Sequence, residues 1–436
     1  MLTWLRFRAG RRLTVGGWMV LIALLAAGFM GVDTDTTVAY QAFTPLLFLL
    51  LISLAFSLTF RGRFSASRVL PRFGTAGQPF VYSIFLRNQG RRMETDLTLR
   101  ENVGDSRPSF ADWKTMQLAD QRRRRSFRIS EGGRPNPFTP AALKSTPVPI
   151  VRSGEEVEIR AEFRPLRRGV IRLRGLSVAR PDPFGLCRAF CNVPAPQSVL
   201  ILPRRYLLPP IALPGVMKYQ QGGVALASSV GQSDEFVSLR DYRRGDPLRH
   251  IHWRSWAKTG KPIVKEFEDE FFVRHALVLD TFTKDPRSDA FEEAVSVAAS
   301  FASAIELQET LLDLLFIGTE AYCFTAGRGL AHADQMLEIL ASVKPCSDKS
   351  FATLEHLVLD HAAGVSSCIC VLLDWDERRR EFVRELQAMD VPLLVLVITE
   401  PGHRTAIDPG PMQHQRERFH VLQAGKIEEG LTDLVL

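Results

Sequence analysis

Cysteine is scarce in this chain of 436 residues: six in all, Cys187, Cys191, Cys323, Cys346, Cys368 and Cys370. Their spacing fits no zinc ribbon, and they are too few to frame so long a chain with disulfides, so a reduced compartment is the simpler reading. The short signatures that carry enzyme chemistry are also missing. There is no Gly-x-Ser-x-Gly elbow and no His-Glu-x-x-His. The run Lys258-Thr-Gly-Lys261 lacks the upstream glycine of a phosphate loop, because Ser255 stands there. It also lacks the hydroxyl for magnesium, because Pro262 follows. Ser255-Trp-Ala-Lys258 and Lys258-Thr-Gly share Lys258, whereas penicillin-recognising enzymes use them as separate elements. His250 and His252 alternate as strand residues do, but the two further partners zinc requires are not identifiable. These absences favour a protein without catalytic residues, cofactor or metal. The alternative is a hydrolase or transferase with an unrecognised acid–histidine site near Asp246, His250, His252 and Asp280, since such groups perform general acid–base work.

Charge is missing from two stretches, residues 13–32 and 36–60. Each is about the length a helix needs to cross a bilayer, roughly 20 residues. Between them lie Asp33 and Asp35 and no Lys or Arg, while Arg6, Arg8, Arg11 and Arg12 precede the pair and Arg61, Arg63 and Arg68 follow it. The positive-inside rule then predicts a two-span hairpin over residues 1–61, both termini cytoplasmic.

What remains is ordinary in apolar content and basic overall, with 55 Lys and Arg against 48 acids. Residues 62–205 alternate at period two between Gly, Pro and Asn clusters, which predicts an all-β, sandwich-like domain. Within it, 106–149 is polar, basic and proline-bearing, and is expected to be a partly mobile insertion. Its run Arg122, Arg123, Arg124, Arg125 offers contact to anionic lipid, though a solvated loop is the more ordinary reading and no specific nucleic acid is expected. From residue 271 to 436, short apolar strands alternate with amphipathic helices, which implies a mostly parallel sheet covered on both faces. Such sheets bind ligands at the carboxyl ends of their strands, where Asp280 and Asp374 fall.

The segment 206–270 joins these parts and carries the densest cluster of charge and aromatics. Glu235–Tyr242 reads as extended or as a short turn. Asp246-Pro247 has the form of a helix start and Gly260 of a helix stop. Arg240, Arg243, Arg244 and Arg249 lie among Asp234, Glu235, Asp241 and Asp246, so bidentate ion pairs are expected to lock the segment onto the α/β domain. Trp253 and Trp256 are expected to bury large areas. The segment is either a structural brace or a docking surface for a partner.

Glu235-Phe236, Leu239-Arg240, Tyr242, Gly245-Asp246, Arg249, Ile251, Trp253 and Ala257 resemble the signature of the domain-of-unknown-function family 58. Residues 165–186, which end in Asp-Pro-Phe-Gly-Leu, resemble that family's preceding strand pair. The resemblance implies a von Willebrand factor A-like α/β domain, no established enzymatic activity, and a MoxR-type AAA+ ATPase as partner. A metal-ion-dependent adhesion site in such a domain reads Asp-x-Ser-x-Ser. Here the run is Asp280-Thr-Phe282-Thr-Lys284, with Phe and Lys at the serine positions, so Asp280 marks a degenerate metal site in which Lys284 places a cation where magnesium would sit. His252 stands where the family has Asp.

Overall fold

The computed structural model describes residues 13–30, 37–60, 62–103, 140–209, 236–244, 246, 248, 251–267, 274–285, 288–305, 311–326, 330–400 and 407–432. Glu235, Gly245, Arg249, His250 and the arginines 122–125 lie outside them. The chain forms two compact units, 1–202 and 203–436.

The first unit begins with two apolar helices, α1 (Val15–Met30) and α2 (Thr37–Thr59). In α2, residues 41–59 are long and apolar enough to cross a membrane by length and composition. The 16 residues of α1 span only about 24 Å at 1.5 Å per residue. The helices lead into nine strands: β1 (Phe64–Val69), β2 (Phe73–Thr75), β3 (Phe80–Asn88), β4 (Thr98–Val103), β5 (Ala141–Leu143), β6 (Thr146–Pro147), β7 (Glu156–Pro165), β8 (Gly169–Pro181) and β9 (Arg188–Leu202). They form two sheets, ordered β1-β3-β7-β5 and β2-β9-β8-β4-β6. Inward residues of both, including Ile84, Leu86, Ile159 and Phe163 from the first and Leu173, Val178, Val193 and Ile201 from the second, share one core. The period-two pattern of β3 and β7 therefore places one face of each strand inside and the other in solvent.

Two expectations change here. The end of the stretch read as an insertion, 106–149, supplies β5 and β6, which extend the two sheets as edge strands; residues 106–139 lie outside the described part. Arg68, counted above among the basic residues flanking the helices, is 5% exposed. Its guanidinium grips Glu101 through two hydrogen bonds of 2.9 Å, and Tyr82 donates to the same carboxylate at 2.6 Å. Arg68 is thus a core ion pair on β1, one of the side chains that alternate inward.

The second unit opens with a hairpin, β10 (Phe236–Asp241) paired antiparallel with β11 (Ile263–Phe267), with helix α3 (Trp253–Thr259) between them. Then come β12 (Arg274–Leu279), α4 (Asp289–Ile305), β13 (Leu311–Ile317), β14 (Ala321–Ala326), α5 (Leu330–Ser342), α6 (Ala352–Ala362), β15 (Ser367–Leu372), α7 (Glu377–Ala388), β16 (Leu393–Thr399), a 3-10 segment (Gly410–Arg418), β17 (Phe419–Gln423) and α8 (Ile427–Thr432). The six strands β12 to β17 form one sheet ordered β14-β13-β12-β15-β16-β17. All neighbours are parallel except β13 and β14. Every residue of β15 is buried, as expected for a strand covered on both faces. Helix α4 packs against β12, β15 and β16, while Phe351, Leu354 and Val358 of the α6 region and Phe382, Val383 and Leu386 of α7 fill a common core with Val278, Cys370 and Val395.

Candidate functional site

Strands that leave β12 in opposite directions create a switch point in the sheet. From β12 the chain passes to β13 on one side, while β15 pairs with its other side. The crevice outside the carboxyl ends of two such strands is where doubly wound sheets hold ligands. Asp280 follows β12 directly, and Leu373 follows β15. Asp280 is fully buried. Its Oδ1 accepts from Phe282 N–H at 2.9 Å and its Oδ2 from Leu373 N–H at 3.1 Å.

The remaining partner of Asp280 is Arg379, whose Nε and Nη2 both lie 2.7 Å from Oδ2. The sequence reading missed this residue. It enters from the first turn of α7, where Asp376 is the N-cap and accepts from Arg379 N–H at 3.0 Å. The same Asp376 accepts from Arg379 Nη1 at 2.9 Å, and the Phe351 ring lies 4.7 Å beneath the guanidinium carbon. Burial pushes the Asp280 carboxyl above its usual range, against the pull of Arg379 and the two backbone N–H groups. Burial works against the charged guanidinium too, but Asp280 and Asp376 outweigh it and hold Arg379 above its usual value.

The chain therefore supplies its own cation at the switch point. That cation is Arg379 and not Lys284, which is exposed. Phe282 packs edge-on against Phe351 at 6.0 Å and brings no oxygen, whereas a hard divalent cation needs several. Asp374 is exposed, and its Oδ1 accepts from Trp375 N–H at 2.7 Å. Among the described residues, no three His, Cys, Asp or Glu side chains converge as a metal site.

The signature segment forms a second constellation. Arg240 on β10 holds Asp246 in a bidentate pair, Nη1 to Oδ2 at 2.7 Å and Nη2 to Oδ1 at 3.0 Å. Arg243 N–H donates to the same Oδ2 at 2.7 Å. These hydrogen bonds, first from Arg240 and then from Arg243, lower the Asp246 carboxyl to about 2. Asp246 thus closes a turn, with Leu248 in 3-10 conformation just after it; the α-helix α3 begins at Trp253. Gly260 ends α3 as expected, in the left-handed region at φ 67°. The Arg240–Asp246 pair ties the segment to itself, six residues apart.

Tyr242 N–H donates to Pro262 O at 3.0 Å and His252 N–H to Ile263 O at 2.8 Å, which extends the hairpin. Ile251 and Val264 are its buried contact. Trp253 departs from expectation: it is 63% exposed and stacks on Trp256 at 5.3 Å. Leu239 and Leu248 are exposed on the same segment. His252 Nδ1 is 2.6 Å from Ser255 Oγ. Asp246, His252 and Asp280 thus each have partners of their own, and no hydrogen bond among the described residues joins them.

Comparison with known proteins bears on this half of the chain. Residues 238–398 match the family described as Protein of unknown function DUF58. The DUF58 match runs from the hairpin through the switch point to β16. An uncharacterised protein, YeaD of Bacillus subtilis, is 33% identical over 126 residues, which is 28% of this chain and 31% of that relative. The chain therefore aligns with about a third of that curated relative's length. Among solved structures, the CARDB domain of the PF1109 protein from Pyrococcus furiosus aligns with 32% of this chain and 89% of its own, at 12% identity and a TM-score of 0.18. Spo0M, the sporulation control protein of Bacillus subtilis, aligns with 32% of this chain and 50% of its own, at 10% identity and a TM-score of 0.16. At these scores the structural likenesses carry no argument about fold or function.

Proposed function

We propose that the protein is a membrane-anchored, non-enzymatic adaptor. In this reading α1 and α2 form a two-span hairpin in a bacterial inner membrane with both termini cytoplasmic. The second unit is a von Willebrand factor A-like domain that has exchanged its metal for an internal arginine, and it presents the DUF58 signature hairpin to a protein partner, a MoxR-type AAA+ ATPase. The observation that carries the reading is the filled switch point. Where an enzyme or a metal-dependent adhesion domain keeps an open position, Arg379 and Asp280 neutralise each other under Phe351. The feature left for recognition is the exposed Trp253 with Leu239 and Leu248, the composition of an interface anchor.

Affinity purification of the full chain from mildly solubilised membranes tests this, comparing wild type with Trp253→Ala and with Arg240→Ala/Asp246→Ala. An AAA+ ATPase that co-purifies with wild type and is lost from Trp253→Ala supports docking through the hairpin. Co-purification unchanged in both variants, or never seen, removes the partner from the proposal.

A further inference from the structure

The turn between β8 and β9 has no part in the function proposed above, yet it is built with unusual completeness. It reads Pro181-Asp-Pro-Phe-Gly-Leu186 and is bound to the two apolar helices. Asp182, 8% exposed, accepts from Cys187 N–H at 2.6 Å through Oδ1 and from Phe184 N–H at 3.1 Å through Oδ2. The same Oδ2 accepts from Ser53 Oγ of α2 at 2.8 Å. Ser57, one turn further along α2, donates to Arg188 O at 3.2 Å. Before the start of α1, Thr14 N–H donates to Leu186 O at 2.9 Å and its hydroxyl to Gly185 O at 2.5 Å. Gly17 lies so close that a Cβ there would stand 2.2 Å from Leu186 O. Only glycine permits that approach.

Two features of the turn point to a low-dielectric neighbour. The first is that three of the four N–H groups between Pro181 and Leu186, those of Asp182, Phe184 and Gly185, donate within the protein. Pro181 and Pro183 have no N–H, Asp182 N–H donates to Cys187 O and Gly185 N–H to Asp182 O, both at 2.9 Å, and Asp182 takes the N–H groups of Phe184 and Cys187. A surface turn in water has no need of this, since solvent serves the purpose, whereas a turn in lipid has no other partner than the protein itself. The second is position. Ser53 lies six residues before Thr59, the last residue of α2, which is about 9 Å along the axis. Phe184 is tied to the carboxylate oxygen that Ser53 touches, and it is 49% exposed. Its backbone is therefore held level with the last two turns of the apolar helix, and its side chain is half-exposed there.

We infer that the Pro181–Leu186 turn is a membrane foot: it binds the ends of α1 and α2 and inserts Phe184 into the headgroup–acyl boundary of the bilayer. The occupant of this surface is lipid, because the surface is continuous with the apolar helices that the turn clasps. Phe is among the side chains that interfacial segments bury at the headgroup–acyl boundary. The foot fixes the β-sandwich to the bilayer at a second point, beyond the chain connection from α2 to β1. The inference rests on the membrane-anchoring part of the proposed function.

The test is spin-label depth measurement on the full chain in phosphatidylglycerol–phosphatidylcholine vesicles, by collisional accessibility to oxygen and to a water-soluble nickel complex. Labels go on Phe184→Cys, on Phe56→Cys in α2, and on Val170→Cys in the sandwich, with the exposed Cys323 replaced by Ser. All three positions are exposed, so the substitutions leave the core intact. The expected result is a lipid-side label at 56, a water-side label at 170, and a label at 184 whose oxygen-to-nickel accessibility ratio exceeds that at 170 by about ten-fold. A ratio at 184 equal to that at 170, with 56 in lipid, overturns the foot and leaves the anchor standing. Water-like values at 56 and 184 together overturn the anchor and the foot with it.

Discussion

Arg379 and Asp280 stand 99 residues apart in the chain and are both buried, so each is costly without the other. Removing one partner of a buried pair leaves an uncompensated charge, at about 3–5 kcal/mol, whereas replacing both by apolar groups is often neutral. Arg379→Met is therefore expected to lower stability by about that amount, and Arg379→Met/Asp280→Asn to recover part of it, because Asn removes the unpaired charge and keeps an acceptor for a backbone N–H. Urea unfolding followed through the buried Trp375 measures both; a stable Arg379→Met would mean that the pair compensates nothing. A second residue gives a pH dependence. His275 is 2% exposed, its Nδ1 lies 2.6 Å from Ser367 Oγ, and burial pulls it down to about 4. Its unfolded value is near 6.5, so between those limits the unfolded chain binds more protons. Stability is present in full above about 6.5 and falls as the pH drops towards 4, by about 3 kcal/mol in all. His275→Gln is expected to flatten that slope, as read from amide-exchange protection of β12 at pH 4.5 and 7.

At the scale of elements, the helical composition of α7 was legible and its purpose was not. Its start is fixed by Asp376, whose side chain caps the first turn and was not singled out in the sequence. Which of its arginines turns inward depends on where the helix starts relative to β12, and the sequence states no such distance. The signature segment shows the reverse case. Asp246-Pro247 has the chemistry of a helix start, and Leu248 beside it is in 3-10 conformation; Arg240 takes the Asp246 carboxylate with two charge-assisted bonds, and the α-helix begins at Trp253. Gly260 was correctly legible because a left-handed stop is a local requirement. Since nothing lies within 4 Å of a Cβ at Gly260, Gly260→Ala is expected to cost only the backbone penalty of about 1 kcal/mol. That speeds exchange of the α3 amides about five-fold, and no change would mean that α3 is held by something other than its cap.

At the scale of the molecule, the division into 1–202 and 203–436 gives each unit its own core. Residues 203–436 expressed alone are therefore expected to fold and unfold in one cooperative transition, as calorimetry would show; a broad, non-cooperative melt would make the second unit dependent on the first. The apolar helix pair, the alternation of the sandwich strands and the buried parallel strands were determined by sequence, because each follows from spacing along the chain and from the energy of removing apolar groups from water. The sequence also placed Asp280 at a strand end, since buried strands in an α/β pattern end where the apolar run ends. Tertiary structure decided the rest. It turned Arg68 from a flanking charge into a core partner of Glu101, left Trp253 in solvent, and set Arg379 against Asp280. Charges choose partners across space by distance and desolvation, and those quantities exist only once the sheet has brought distant segments within a few ångströms.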